Sequence, residues 1–269
     1  DLESSKRIIE GRLGIRVHSF AYPFGDSGQE TKNFDQSSDI IHGIVSSTYE
    51  MSFYQSWFGI EESFNYPSYS SDLFIARRIE PASDWNSQKL LAELEYGRAK
   101  SLPYRVKIFG NEWSGSWGEV ERGNGLAVRA LGNTTGAEAF LNGSHAWEDY
   151  YFRVRANWSM GTHVSLIARV QDRHNHYSCT FSSDGVVLRE KVGGELATIE
   201  SLNVAIGDPP DIELGIRVIG EVVECLVNNT VFIRSDLLEG GFAFGGVGVQ
   251  VWQEEEGEAS VIIYETNIQ

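Results

Sequence analysis

The apolar residues of this 269-residue chain keep two different rhythms, which change over near Pro103. Before it, helix-like and strand-like stretches alternate. Ser4 or Ser5 can cap a helix in which Ile8, Ile9 and Leu13 share one face and which Gly14 ends. Strands are expected at residues 16–22 and 43–49, joined by a polar, partly helical connection. Residues 53–72 read as an aromatic-rich loop. A strand at 73–79 then leads into a helix at 87–99 with an apolar stripe of Leu90, Leu91 and Leu94. Such alternation predicts an α/β domain with a parallel sheet over residues 1–103.

After Pro103 the pattern turns to short alternating runs separated by Gly, Asn and Asp, with no helical period. Strands are expected at 116–120, 125–131, 150–158, 162–171, 176–182, 185–192, 212–219, 222–227, 230–234, 244–252 and 259–268. That number suits a two-sheet antiparallel sandwich, a jelly roll, over residues 104–269. The fold class expected is therefore α/β plus all-β.

Composition narrows the partners. With 41% hydrophobic and 22% charged residues the chain is globular, and its formal charge is -16. Residues 1–103 hold 10 basic and 15 acidic groups, residues 104–269 hold 12 and 23. A field of that sign repels nucleic acid and anionic lipid, so neither is expected as the main partner. No apolar stretch reaches the length of a membrane span. Four sequons, at Asn133, Asn142, Asn157 and Asn228, point to an extracellular or cell-surface protein. Cys179 and Cys225, read as lying on neighbouring strands, can form a disulfide or stay as small buried apolar groups.

The helix, strand and turn ending in Phe20-Ala21-Tyr22-Pro23-Phe24-Gly25 resemble polysaccharide deacetylases with the NodB-type domain, carbohydrate esterase family 4. The segment Phe74 to Ile79 and the helix from Ser87 to Leu94 fit the closing part of that domain. The resemblance implies a divalent metal that activates water against an N-acetyl carbonyl. It implies that the Phe24 backbone N–H stabilises the oxyanion, and that Tyr22 and Pro23 shape the sugar site. The alternative is that Tyr22-Pro23 only ends a strand. Trp57 can stack on a sugar or pack a loop. The metal-binding Asp and His-x-x-x-His of the family are not found in this sequence. The divalent metal is thus expected only with a missing N-terminal half, supplied by a longer chain or another polypeptide, and another copy of the chain is a further candidate partner. Residues 1–103 then form a truncated domain, inactive alone.

The stretches Ala146–Phe152, Ser165–Asp172, Ile212–Val218, Val222–Thr230 and Gly245–Val249 resemble concanavalin A-like, or laminin-G-like, jelly rolls. This implies glycan binding. Trp147 is a candidate sugar contact that can also cap the core. Trp113, Trp117, Trp158 and Trp252 can supply a sugar platform or pack inside. The resemblance also makes calcium a candidate, with Asp149, Asp172, Glu265 and the Asp208/Asp211 loop as oxygen ligands. The combined reading is the C-terminal portion of an extracellular deacetylase-like protein with a glycan-binding module. The alternative is an adhesive or structural surface glycoprotein that uses its α/β remnant as an interface.

Overall fold

A computed structural model describes residues 1–23, 37–55, 73–78, 83, 85–88, 90–91, 98–130, 135–158, 162–206, 211–237, 241–253 and 259–269. The described residues divide into two units, one within Asp1–Leu90 and the other within Leu91–Gln269.

The first unit opens with α1 (Leu2–Leu13), whose N-cap position is Asp1 and not Ser4 or Ser5. Gly14 ends it at φ 65, where its N–H donates to the Glu10 carbonyl at 2.9 Å. Then come β1 (Ser19–Ala21), α2 (Ser37–Thr48), β2 (Met51–Gln55), a 3-10 turn (Leu73–Ile75) and β3 (Ala76–Arg78). The three strands are parallel, in the order β1-β2-β3.

The strand expected at 43–49 is helical. Its β-branched residues suggested extension, but Ile40, Ile41, Ile44 and Val45 recur with the helical spacing. Val45 is fully buried with Tyr22 and Tyr49, Ile41 packs against them, and Ile40 and Ile44 are exposed. The strand follows at 51–55, overlapping the start of what reads as a loop. Residues 87, 88, 90 and 91 are helical, and 92–97 lie outside the described residues.

The second unit is all strand: β4 (Tyr104–Val106), β5 (Trp113–Trp117), β6 (Glu119–Glu121), β7 (Leu126–Arg129), β8 (Gly136–Leu141), β9 (Tyr150–Trp158) and β10 (His163–Asp172). They are followed by β11 (Asn175–Ser182), β12 (Gly185–Val192), β13 (Glu195–Asn203), β14 (Ile212–Ile219) and β15 (Val222–Val227). The last are β16 (Thr230–Asp236), β17 (Gly246–Trp252) and β18 (Ser260–Ile268). One sheet runs β13-β12-β11-β10-β17-β8-β5, the other β16-β15-β14-β9-β18-β7-β6, with β4 also on β18. The pairing in both is antiparallel, which makes the unit a jelly-roll sandwich.

The core lies between the sheets. Alternate residues of β9 (Phe152, Val154, Ala156) face Val164, Leu166 and Ala168 of β10, with Leu214 and Ile216 of β14 beside them. Burying these apolar faces supplies the main drive for closure. Val170, which strict alternation after Ala168 would put in the same row, instead clusters with Phe140 and Ile167. The reason is a bulge at Arg169, whose φ is 49. Cys179 on β11 and Cys225 on β15 are joined by a disulfide, Cα to Cα 5.6 Å. These strands belong to opposite sheets, not to neighbouring positions in one sheet, so the bond staples the sandwich through its core.

Candidate functional site

Antiparallel register puts directly opposed residues on one face of a sheet. On the seven-stranded sheet this gives three rows turned away from the main core. Gly136, Trp252 and His163 form the first. Glu138, Gln250, Ser165 and Thr180 form the second, with Trp117 opposite Glu138 at the β5 end. Phe140, Gly248, Ile167, Ser178 and Arg189 form the third.

The rows interlock. Trp252 and His163 are stacked, with ring centroids 4.1 Å apart and planes within 11°. The Arg189 guanidinium lies 5.6 Å from the Trp252 ring centroid, and its Nη1 donates to Thr180 Oγ1 at 3.0 Å. Ser165 and Thr180 share a hydrogen bond of 2.9 Å. Burial draws the Arg189 pKa down, yet a guanidinium stays charged at neutral pH. Gly136 allows the Trp117 indole to lie against the sheet: a Cβ there would stand 2.4 Å from Cη2 of Trp117.

Polar groups are unusually deep on this face. Glu138, Ser165, Ser178 and Thr180 are all buried, although they point away from the core. Glu138 Oε1 lies 3.6 Å from Arg173 Nε. Half-buried aromatic planes beside fixed donors and acceptors suit a sugar ring, which has apolar faces and hydroxyl edges. Glycoside hydrolysis normally needs two facing carboxylates. Among the described residues these rows offer one, Glu138.

The residues singled out from sequence are placed differently. Tyr22 is buried to 1% exposure, edge-on to Phe20, and its hydroxyl accepts from Ser52 Oγ at 3.4 Å. It packs the first unit and presents no face to a sugar. Pro23 is exposed directly after β1. Phe24, Trp57, Asn133 and Asp208 lie outside the described residues. Trp147 is also a core residue at 5% exposure, and its Nε1 donates to the Lys100 carbonyl at 2.7 Å. Trp113 and Trp158 are buried, whereas Trp117 and Trp252 stand on the outer rows.

Three of the candidate calcium ligands, Asp149, Glu265 and Asp211, have other partners. Asp149 Oδ1 accepts from the Gly220 N–H at 2.7 Å and lies 3.7 Å from Arg169. Glu265 accepts from Arg105 and lies 3.4 Å from Lys107, and the Arg105 bond above all holds its pKa below the usual range. Asp211 binds Arg155. Asp172 ends β10, with its side chain outside the described residues. No group of three metal-ligating side chains occurs among the described residues.

Of the sequons, Asn142 is 9% exposed and donates from Nδ2 to Ser114 Oγ, an arrangement that leaves no room for a glycan. Asn157 is half-buried on β9, and Asn228 is exposed in the β15–β16 turn at φ 48. No described helix is long and apolar enough to cross a membrane.

Sequence reading missed His163, Glu138, Gln250 and Arg189. A signal was present: within 163–170 and 247–252 the apolar phase alternates with His163, Ser165, Gln250 and Trp252.

No protein-family model matches the chain, and no curated protein resembles it significantly in sequence. Solved structures do share its fold. A Crh5 transglycosylase in complex with NAG is 9% identical at a TM-score of 0.50, over 65% of this chain and 86% of that one. The carbohydrate binding module CBM66 from Bacillus subtilis is 14% identical at 0.48, over 59% and 95%. A Bacillus licheniformis beta-glucanase is 6% identical at 0.47, over 62% and 97%. At 9% identity the likeness to the transglycosylase speaks for the fold alone.

Proposed function

We propose that the second unit binds a neutral glycan on the outer rows of its seven-stranded sheet. The observation that carries this is the His163–Trp252 stack under the Arg189 guanidinium, next to the Ser165–Thr180 pair. The jelly-roll fold shared with a transglycosylase solved with NAG supports the reading. Among the described residues the rows hold one carboxylate, Glu138, which suits holding a sugar rather than cleaving it. We expect Trp252→Ala to weaken binding of neutral oligosaccharides about tenfold or more, through loss of stacking. Binding to an immobilised glycan series, compared between wild type and variant, checks this. Equal retention by both would remove the site from this face.

The first unit is proposed, as its resemblance implies, to be the closing half of a deacetylase-type domain in an extracellular protein. Three parallel strands with Tyr22-Pro23 placed directly after β1 support it. Acetate release from N-acetylated oligosaccharides, with and without divalent metal, tests it. The isolated chain should release none, and a longer natural polypeptide that carries the missing metal ligands should.

One observation favours a second reading, assembly into a larger surface structure. β13 is an edge strand exposed along all nine residues, and Leu196, Ile199 and Leu202 are among them. Filaments or discrete oligomers in electron micrographs that vanish on placing Lys at Ile199 would support it. A monomer at every concentration would end it.

A further inference from the structure

The opposite sheet carries charge where the first carries aromatic rings. Register aligns Arg105, Asn267, Arg153 and Gly215 across β4, β18, β9 and β14. Glu265, Arg155 and Glu213 form the adjoining row, because a bulge between Ile263 and Glu265 turns that carboxylate onto this face. Between the rows lies a depression of about 260 Å³ lined by the three arginines, Glu213, Glu265 and Asn267. Gly215 makes room for the Tyr151 ring, from which a Cβ there would stand 2.6 Å.

The three guanidiniums are not equivalent. Arg105 donates from Nε to Glu265 at 2.6 Å. Arg155 donates from Nε to Asp211 at 3.3 Å, and its Nη2 also reaches that carboxylate. Arg153 has no such bond. Its Nε is buried without a hydrogen-bond partner, and its Nη1 stands 3.9 Å from Glu213, beyond hydrogen-bond reach. Tyr151 holds it in place, with the Arg153 guanidinium 4.9 Å and that of Arg217 5.5 Å from the ring centroid. A cation fixed in orientation, whose nearest carboxylate stands beyond hydrogen-bond reach, is a preorganised site for an anion that can come closer.

We propose that this depression is a second ligand site, which takes the oxyanion of an acidic glycan with Arg153 as its anchor. The planar fork of a guanidinium matches a carboxylate or a sulfate ester and holds either through paired N–H donors. Asn267, opposite Arg153 in register, supplies a neutral donor and acceptor beside it. The sign of the whole chain, -16, runs against an anion. Locally the balance reverses. Counting Lys107 and Asp211, which pair with the lining, four cations face three carboxylates. The long-range field is screened beyond about 8 Å at physiological salt, so the local groups decide the contact. The inference does not depend on glycan binding by the other sheet.

Calorimetric titration of the full chain with trigalacturonate, a sulfated chondroitin disaccharide and neutral cellotriose tests the proposal and separates the two anion sources. Wild type should bind at least one of the two anionic probes through this face. R153A should weaken that binding about tenfold or more, and R153K should fall between, since it keeps the charge but loses the fork. W252A should leave it unchanged, so failure of the first site and failure of this one are told apart. In wild type, amide shifts on titration should centre on residues 153, 155, 213 and 267, a readout that needs no variant to fold. Failure of both anionic probes to bind at millimolar concentration, an R153A titration equal to wild type, or shifts centred on β10 and β17 would each overturn it.

Discussion

Arg169 shows how a buried cation is held by main-chain carbonyls. At 3% side-chain exposure it donates to the carbonyls of Phe242 and Gly220 at 2.8 and 2.7 Å, and lies 3.3 Å from that of Glu148. Its own backbone N–H donates to the Tyr150 hydroxyl at 2.7 Å. These bonds hold a non-glycine residue at φ 49 and bind three loops to the end of β10. Gly245 is what lets the chain cross it. Its φ is 144, and a Cβ would come within 2.3 Å of the Arg169 carbonyl carbon. We therefore expect Gly245→Ala to cost about 3 kcal/mol or more, from the backbone clash and the strained φ together. Gly193→Ala is the control: its φ is 58, but nothing lies within 4 Å of the added carbon. It should cost only about 1–2 kcal/mol. Urea unfolding of both variants checks the ranking, and equal losses would show that the close approach at Arg169 is not rigid. The Nη groups of Arg169 are taken up by loop carbonyls, whereas the nearest carboxylate to Arg153 Nη1 stands at 3.9 Å, and that contrast gives the second its proposed role.

At the scale of elements, the sandwich depends on one covalent tie between its layers. β11 and β15 belong to different sheets, and Cys179–Cys225 closes a separation of 46 residues between them. Loop entropy alone assigns such a link about 4 kcal/mol. A Cys179→Ala, Cys225→Ala double variant should lose roughly that amount in chemical unfolding. A loss near zero would mean that the unfolded chain keeps these strands together without the bond. How far the elements could be read beforehand follows from burial. Strands with one buried face, such as β9 and β14, alternate and were legible within a few residues. β8 was missed because both its faces are buried, so Ala137, Ala139 and Phe140 do not alternate with polar residues. β13 was missed for the opposite reason, since all nine residues are exposed and no burial writes a pattern into them. In the first unit, α2 was hidden by β-branched residues whose intrinsic preference lost to the packing of Ile41 and Val45. Of the candidate face, Trp117 and Trp252 were named in advance as one option. The rows that join them to Glu138 and Thr180 depend on register, which no single strand's sequence contains.

For the molecule as a whole, the buried tyrosines set a limit on the alkaline side. Burial raises the pKa of Tyr150 above the ordinary phenol value, with Arg169 opposing it only in part. Burial also raises that of Tyr104, and the nearby Glu112 carboxylate adds to it. Tyr177 is pushed up to about 12 by burial, then by Glu190. In each case the folded state holds its proton more tightly than the unfolded chain does. Stability from these groups is therefore complete below the unfolded value near pH 10 and drains away as pH climbs towards 12 and beyond. The expected result is a urea midpoint that is flat through neutrality and falls steadily above about pH 10. Tyrosinate absorbance should rise in two stages, with accessible rings titrating first and the buried ones only as far-ultraviolet dichroism is lost. Tyr150→Phe separates the contributions: it removes one late-titrating ring and flattens part of the alkaline slope. It also leaves the Arg169 N–H and the Gly245–Gly246 carbonyls without their shared hydroxyl, so its neutral stability should drop too. Full tyrosinate absorbance by about pH 11 with unchanged dichroism would mean that base reaches the core of the folded sandwich, contrary to the packing described above.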